Sequence, residues 1–233
     1  MNPPDNSLAV RRVVPEWLDE LPATAPEAAA SRADLRRLNR LMGHAGLLAK
    51  ALRPAMASGR RIVELGGGDG TLLLRVARIL APLAHGLQVT LVDRHDLVSA
   101  STRAAFATLG WNLQTVPADV MDGLEQAREM DAIIANLFLH HFEDAALRRL
   151  LNLAAQRTRL FVACEPRRSR LALVAANGVG LIGCNPVTRH DAVLSVRAGF
   201  AAEELSRLWP ATPEWRLSEG SAGWFSHQFV AAR

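Results

Sequence analysis

Arg61-Ile-Val-Glu-Leu-Gly-Gly-Gly-Asp-Gly-Thr-Leu-Leu-Leu-Arg75 is the stretch whose reading decides the fold. The apolar run Ile62–Leu65 reads as a buried strand, the glycines at 66, 67, 68 and 70 as a tight turn, and Leu72–Leu80 as a helix. Glycine lets a backbone turn sharply and approach a ligand where a Cβ would collide. Strand, glycine turn and helix together make a nucleotide-type binding loop. Its spacing narrows the ligand. A dinucleotide fingerprint needs glycines at 66, 68 and 71, and position 71 is Thr71. The pattern is instead Glu64-x-Gly66-x-Gly68-x-Gly70, with Asp69 inside it. Acids so close would repel a pyrophosphate but suit a ligand with an amine, ribose hydroxyls and a sulfonium.

Outward from this loop, strands and helices alternate. Strands are expected at 61–65, 88–93, 112–116, 131–135 and 159–164, with helical stretches near 70–80, 96–108, 122–127 and 143–156. That alternation implies an α/β fold with a parallel sheet covered on both faces. After residue 185, helical segments at 190–198 and 201–208 precede strand candidates 214–219 and 224–231. Gly220 to Gly223 suits the bend of an antiparallel hairpin between those two strands. Asp96 and Asp191 stand where helix N-caps would. Upstream, residues 1–30 are rich in proline and alanine, and Trp17, Leu18 and Leu21 suit a short docking helix. Ser31 with Asp34 resembles a helix start before Leu35, Leu38, Leu41 and Met42, and Leu47–Leu52 resumes that helix after Gly43 and Gly46. Residues 1–58 are therefore expected to form a helical cap, and residues 59–233 the main domain.

Val63 to Gly70 closely matches the first motif of the class I S-adenosylmethionine-dependent methyltransferases, and the chain resembles that family over about residues 60–231. The resemblance implies a seven-stranded, doubly wound, Rossmann-like sheet whose last strand runs antiparallel to the other six. It implies S-adenosylmethionine as cofactor and a cap that closes over the substrate; simple packing of the cap on the sheet is the alternative. Asp93 ends the second strand, where an acid can accept both ribose hydroxyls of a nucleoside. Asp119 and Val120 follow the third strand, where the family reads the adenine amine and ring. Capping of the following helices is the plainer role for both acids.

Asp131-Ala-Ile-Ile-Ala-Asn-Leu-Phe-Leu-His-His-Phe142 carries an apolar strand out to the sheet edge that holds ligands in open α/β folds. It resembles motif four of small-molecule methyltransferases, particularly the relatives of ubiquinone and menaquinone biosynthesis enzymes. Asn136 would then line the methionine part of the cofactor. With Glu64, Gly66, Gly68, Asp69, Gly70, Asp93, Asp119 and Val120 it makes up the expected cofactor site. Arg40 and His44, sharing a helix face at spacing four, could reach the cofactor carboxylate or the substrate. His140 or His141 is the catalytic candidate, because imidazole titrates near neutral pH and can take a proton from a phenol or hydroxyl. Phe138, Phe142, Leu181, Trp209 and Trp224 are the expected apolar surroundings, and Phe138 and His190 candidate substrate contacts. Glu165 lies at the same edge in Glu165-Pro-Arg-Arg-Ser169, where a solvated turn is the simpler role and Arg167 or Arg168 could pair an acidic group.

Two departures bear on the acceptor. The Asn/Asp-Pro-Pro-aromatic loop of amino-group methyltransferases is replaced by Asn136-Leu-Phe-Leu, and no cysteine stands near it as in RNA cytosine C5 enzymes. Both disfavour nucleic acid. The charge agrees: net +4, but scattered, with Lys50 the one lysine among 27 cationic side chains. Hydrophobic residues at 49% supply a core, and no uncharged apolar run approaches the length of a membrane span. Met1–Ser7 lacks the basic start of a secretory signal, and two cysteines suggest a reducing cytoplasm. No metal is expected. The expected activity is O-methylation of a small phenolic or polyketide-like molecule. Its rivals are carbon methylation of a quinone precursor, RNA or protein methylation, and a non-catalytic cofactor-binding module. A small-molecule acceptor is the expected partner, and the sequence allows a homodimer.

Overall fold

The computed structural model describes residues 8–57 and 61–233, so the expected boundary at 58/59 lies outside the described residues. The chain runs through α1 (Trp17–Glu20), α2 (Pro26–Leu41), α3 (His44–Leu52), β1 (Arg61–Leu65), α4 (Thr71–Leu80), β2 (Gln88–Asp93), α5 (Ala100–Thr108) and β3 (Asn112–Pro117). It continues through α6 (Val120–Gln126), β4 (Met130–Asn136), α7 (Asp144–Arg157), β5 (Thr158–Pro166), α8 (Arg170–Gly178), α9 (Pro186–Ala198), α10 (Glu204–Leu208), β6 (Arg216–Ala222) and β7 (Ser226–Ala232). The seven strands form one sheet in the order β3-β2-β1-β4-β5-β7-β6, and β7 runs antiparallel to both its neighbours. This is the doubly wound methyltransferase sheet that the alternation and the first motif imply.

Side chains alternate across the sheet, so each central strand feeds two cores. Ile62, Ala132, Ile134 and Val162 pack against α3, α4 and Phe106 of α5. Val63, Leu65, Ile133 and Phe161 pack against α6, α7 and α10 on the opposite face. Fully burying side chains of this size stabilises by roughly 1.5–3 kcal/mol each. Among the described residues, no helix is long and apolar enough to cross a membrane.

Several local expectations are corrected. The first long helix begins at Pro26, which takes its first turn, so Ser31 lies inside it and meets the Thr188 hydroxyl at 2.9 Å. At Gly43 the chain turns left-handed (φ 71°) and the helix axis restarts, so Arg40 and His44 do not share a face. Helix α9 starts at Pro186 with Asn185 as N-cap, which puts Asp191 well within it. Ser99 caps α5, while Asp96 pairs with Arg103 and Thr115. The hairpin bend falls at Gly223–Phe225, beyond the end of β6 at Ala222.

Helix α3 packs on the sheet face, whereas α1 and α2 lie over its carboxyl edge. His44, at the start of α3, is wholly buried: Nδ1 meets Asn39 Oδ1 at 2.8 Å and Nε2 meets the Ser226 hydroxyl at 2.7 Å. Burial pushes its pKa from 6.5 down to about 4, against the pull of Glu165. Below pH 6.5 the unfolded chain takes up a proton that folded His44 refuses, so stability falls as the pH drops towards 4. Wild-type protein should lose about 2 kcal/mol more than His44→Gln between pH 7 and pH 5, read as the difference in urea-unfolding free energies.

Candidate functional site

In an open α/β sheet the crevice lies at the carboxyl ends of the strands where the order reverses, here between β1 and β4. Gly66 and Gly68 both adopt left-handed backbone there, at φ 67° and 52°. A Cβ at Gly66 would run into the Phe138 ring, whereas one at Gly68 would meet nothing within 4 Å. Gly66 is thus fixed by packing, and Gly68 borders open space. The loop is braced from β2: the Gly68 N–H donates to Asp93 Oδ2 at 2.9 Å and the His95 N–H to Oδ1 at 3.0 Å. Each oxygen keeps a second lone pair, and Asp93 lines the cavity. Asp69 accepts from the Thr71 N–H and hydroxyl and pairs with Arg36 at 2.7 Å. Glu64 is buried beneath the loop. Burial, with Asp69 and Asp93 nearby, raises its pKa well above the usual carboxylate value. That favours its neutral form and lessens the negative charge beneath the loop.

Asp119 accepts the Met121 N–H as N-cap of α6 and still lines the cavity beside Val120. Asn136 ends β4 buried; its Nδ2 donates to Asn39 at 3.0 Å and its Oδ1 has no partner. Arg40 is exposed and stands outside the cavity lining, where Arg36 takes the position beside the loop.

Beyond β4, Leu137 is left-handed (φ 49°), an arrangement costing about 1–2 kcal/mol for a residue with a Cβ. The turn it makes aims the Phe138 and Leu139 N–H groups at one oxygen of Glu165, at 3.1 and 3.0 Å. The other Glu165 oxygen meets His140 Nδ1 at 2.8 Å. Glu165 is not a solvated turn residue: β5 runs on to Pro166 and Glu165 is wholly buried. Burial alone would raise its pKa, but His140 and the two N–H groups bring it below the usual value. His140 is disfavoured as an imidazolium by burial, yet Glu16 and Glu165 on either side lift its pKa to about 9. At neutral pH it is charged and has no lone pair with which to act as a base. His141 is partly open to the cavity, and its Nδ1 lies 3.0 Å from Asp19 Oδ2.

Glu16 and Asp19 come from a strap over the cavity that reaches through α1. Asp191 fastens it by accepting the Trp17 and Leu18 N–H groups at 2.9 and 3.0 Å. Arg11 reaches the Phe142 carbonyl at 2.5 Å and Asp144 at 2.7 Å. Trp17 stacks on His190 at 3.7 Å, so His190 supports the strap and does not line the cavity. Arg168 is buried against Glu204 and unavailable to a ligand. Phe138, Phe142 and Leu181 do line the cavity, whereas Trp209 belongs to the core and Trp224 lies in solvent, outside the lining. Under the strap is a cavity of about 1110 Å³ holding the glycine loop, Asp93, Asp119, Phe138, His140 and His141 together. Small-molecule pockets span about 300–1,000 Å³, so this one stands at the large end of that range.

Residues 62–159 match a family model described as a methyltransferase domain. That match supports a class I S-adenosylmethionine-dependent methyltransferase. No curated protein matches it in sequence. Among solved structures, the plantazolicin methyltransferase BpumL in complex with SAH superposes with a TM-score of 0.65 at 12% identity, covering 90% of this chain and 91% of that one. The plantazolicin methyltransferase BamL, with a triazolic desmethylPZN analogue and SAH, gives 0.61 at 14% identity, covering 90% and 92%. An O-methyltransferase family protein from Burkholderia thailandensis gives 0.53 at 16% identity, covering 91% of this chain and 64% of that one. At such identities the likeness is one of fold.

The methyltransferase's own residues fit an adenosyl cofactor. Open space at Gly68 makes a cradle that a Cβ would invade, and the unpartnered Glu64 Oε2 sits beneath it. Asp93, Asp119 and Val120 line the same cavity. Glu16, Asp19 and Glu165 were not foreseen as site residues. The two strap acids carry no sequence signal, while Glu165 had one in its position at the carboxyl end of an apolar strand.

Proposed function

We propose that this methyltransferase transfers a methyl group to an oxygen of a small, largely apolar molecule, phenolic or polyketide-like. The observation that carries this reading is the pair of carboxylate-anchored imidazoles, His140 on Glu165 and His141 on Asp19, in one cavity with the cofactor loop. The cofactor supplies an electrophilic methyl on a sulfonium that leaves as a neutral thioether. The chain's part is to hold the acceptor oxygen in line and keep water out, and proximity of that kind supplies much of such a rate. Phe138, Phe142 and Leu181 give the cavity its apolar walls, and the strap closes it. The Glu16, His140 and His141 cluster receives the acceptor hydroxyl and assists loss of its proton. The free cysteines Cys164 and Cys184 suit a reducing cytoplasm.

The test is product identity. Methyl-labelled cofactor and a panel of phenols, polyketides and quinone precursors should give an O-methyl product, located by NMR. His141→Ala should lower kcat by about 100-fold or more while SAH binding stays unchanged. A carbon-methylated quinone precursor, or label transferred to RNA or protein, would replace this reading.

A further inference from the structure

We infer that Glu16, His140 and His141 form a binding site for one divalent metal ion of the zinc type on the acceptor side of the cavity. One ligand atom from each residue lies within 4.8 Å of the others. His140 Nε2 and Glu16 Oε1 are 3.5 Å apart. Tetrahedral zinc, with bonds of about 2.0–2.2 Å to nitrogen and oxygen, sets neighbouring ligand atoms roughly 3.3–3.5 Å apart. That edge already has the required length, and the other two are no longer than 4.8 Å.

A second observation points to a ligand. His140 Nε2 is buried and aimed into the cluster, where it makes no hydrogen bond and faces Glu16 Oε1 at 3.5 Å; a bound cation would take the place of the proton it carries in the metal-free protein. Such a group is costly unless something meets it. The remaining ring nitrogens are committed: His140 Nδ1 to Glu165 at 2.8 Å and His141 Nδ1 to Asp19 at 3.0 Å. A metal-ligating histidine characteristically donates its other N–H to a carboxylate, which sets the tautomer and aims the ring. Both histidines here have that support. Three carboxylates, on Glu16, Asp19 and Glu165, surround the two imidazoles, and a dication offsets the excess negative charge. Two nitrogens and one oxygen suit zinc and its first-row neighbours, not magnesium or calcium, which take oxygen sets. A remaining coordination position would face the cavity and take the acceptor oxygen. The ion's role therefore rests on the O-methylation reading, while its binding does not.

The test uses the untagged full chain, stripped with chelator and titrated with Zn²⁺ against a chromophoric competitor. One zinc per chain is expected, and Co²⁺ in its place should show the visible absorption of a four- or five-coordinate ion. Glu16→Gln and His141→Ala should each weaken zinc binding at least about 10-fold, and Asp19→Asn about 10–100-fold, with unchanged far-UV circular dichroism. His85→Ala, outside both the strap and the cavity lining, should bind zinc as wild type does. Absence of stoichiometric zinc, or affinity that survives both Glu16→Gln and His141→Ala, overturns the site and leaves His141 as the base. SAH affinity is measured separately without metal: its absence beside intact zinc binding would count against methyl transfer and leave the metal site standing.

Discussion

Replacing Glu165 by alanine is expected to lower the unfolding free energy by about 3–5 kcal/mol and to abolish turnover. This carboxylate is wholly buried, accepts the Phe138 and Leu139 N–H groups, and neutralises the His140 imidazolium. Alanine strands all three donors and leaves a buried charge with only Glu16 at 3.5 Å. Each stranded neutral donor costs about 1–3 kcal/mol, and the uncompensated charge costs more. Glu165→Gln keeps an acceptor for the N–H groups and loses only the charge, so it should recover a good part of the stability but little of the activity. Chemical denaturation of the two variants, beside product assays, gives both readings. Equal stability of Glu165→Ala and wild type would mean that the turn after β4 is held by something else.

Gly68→Val should weaken SAH and S-adenosylmethionine binding by about 100-fold or more, roughly 3 kcal/mol, while the chain still folds. The backbone at 68 is left-handed, and a branched side chain there costs of order 1–3 kcal/mol of stability. Its Cβ nevertheless meets no protein atom within 4 Å, so the added methyls project into the space the cofactor needs. Gly223→Val separates the two effects. Gly223 is also left-handed (φ 75°) and uncrowded, but lies in the β6–β7 bend outside the cavity lining. It should lose similar stability and bind SAH normally. Calorimetric titration decides, and wild-type affinity in Gly68→Val would place the cofactor away from the loop.

The parts of the fold that were legible in the sequence are those set by short-range patterning. Ile62–Leu65, Val89–Asp93 and Asp131–Asn136 read as strands because apolar residues fill both faces of a buried parallel sheet. The hairpin was legible from its flanking glycines, with the bend displaced by a few positions. The start of α9 was misread because Asp191 looked like a cap, although the Asn185-Pro186 pair carried the proper signal. Asp191 serves the strap instead, across 174 positions of sequence, and no local pattern announces such a contact. Glu165 was misread because two further residues of β5 turn an apparent loop acid into a buried one. The histidine pair was legible as chemistry, but the neighbours that decide its protonation were not. Glu16 reaches His140 only through the docking of the strap.

The strap gives the protein an order of events during its own synthesis. Arg11, Glu16 and Asp19 leave the ribosome before any strand of the sheet, yet Asp191 and the Ala198 carbonyl that hold the strap are made only after β5. Until then those acids have nothing to close upon, and the histidines stand in an open trough. The five parallel strands β1 to β5 can therefore pair first, with the chemistry assembled once α9 is made and an early segment folds back over a late one.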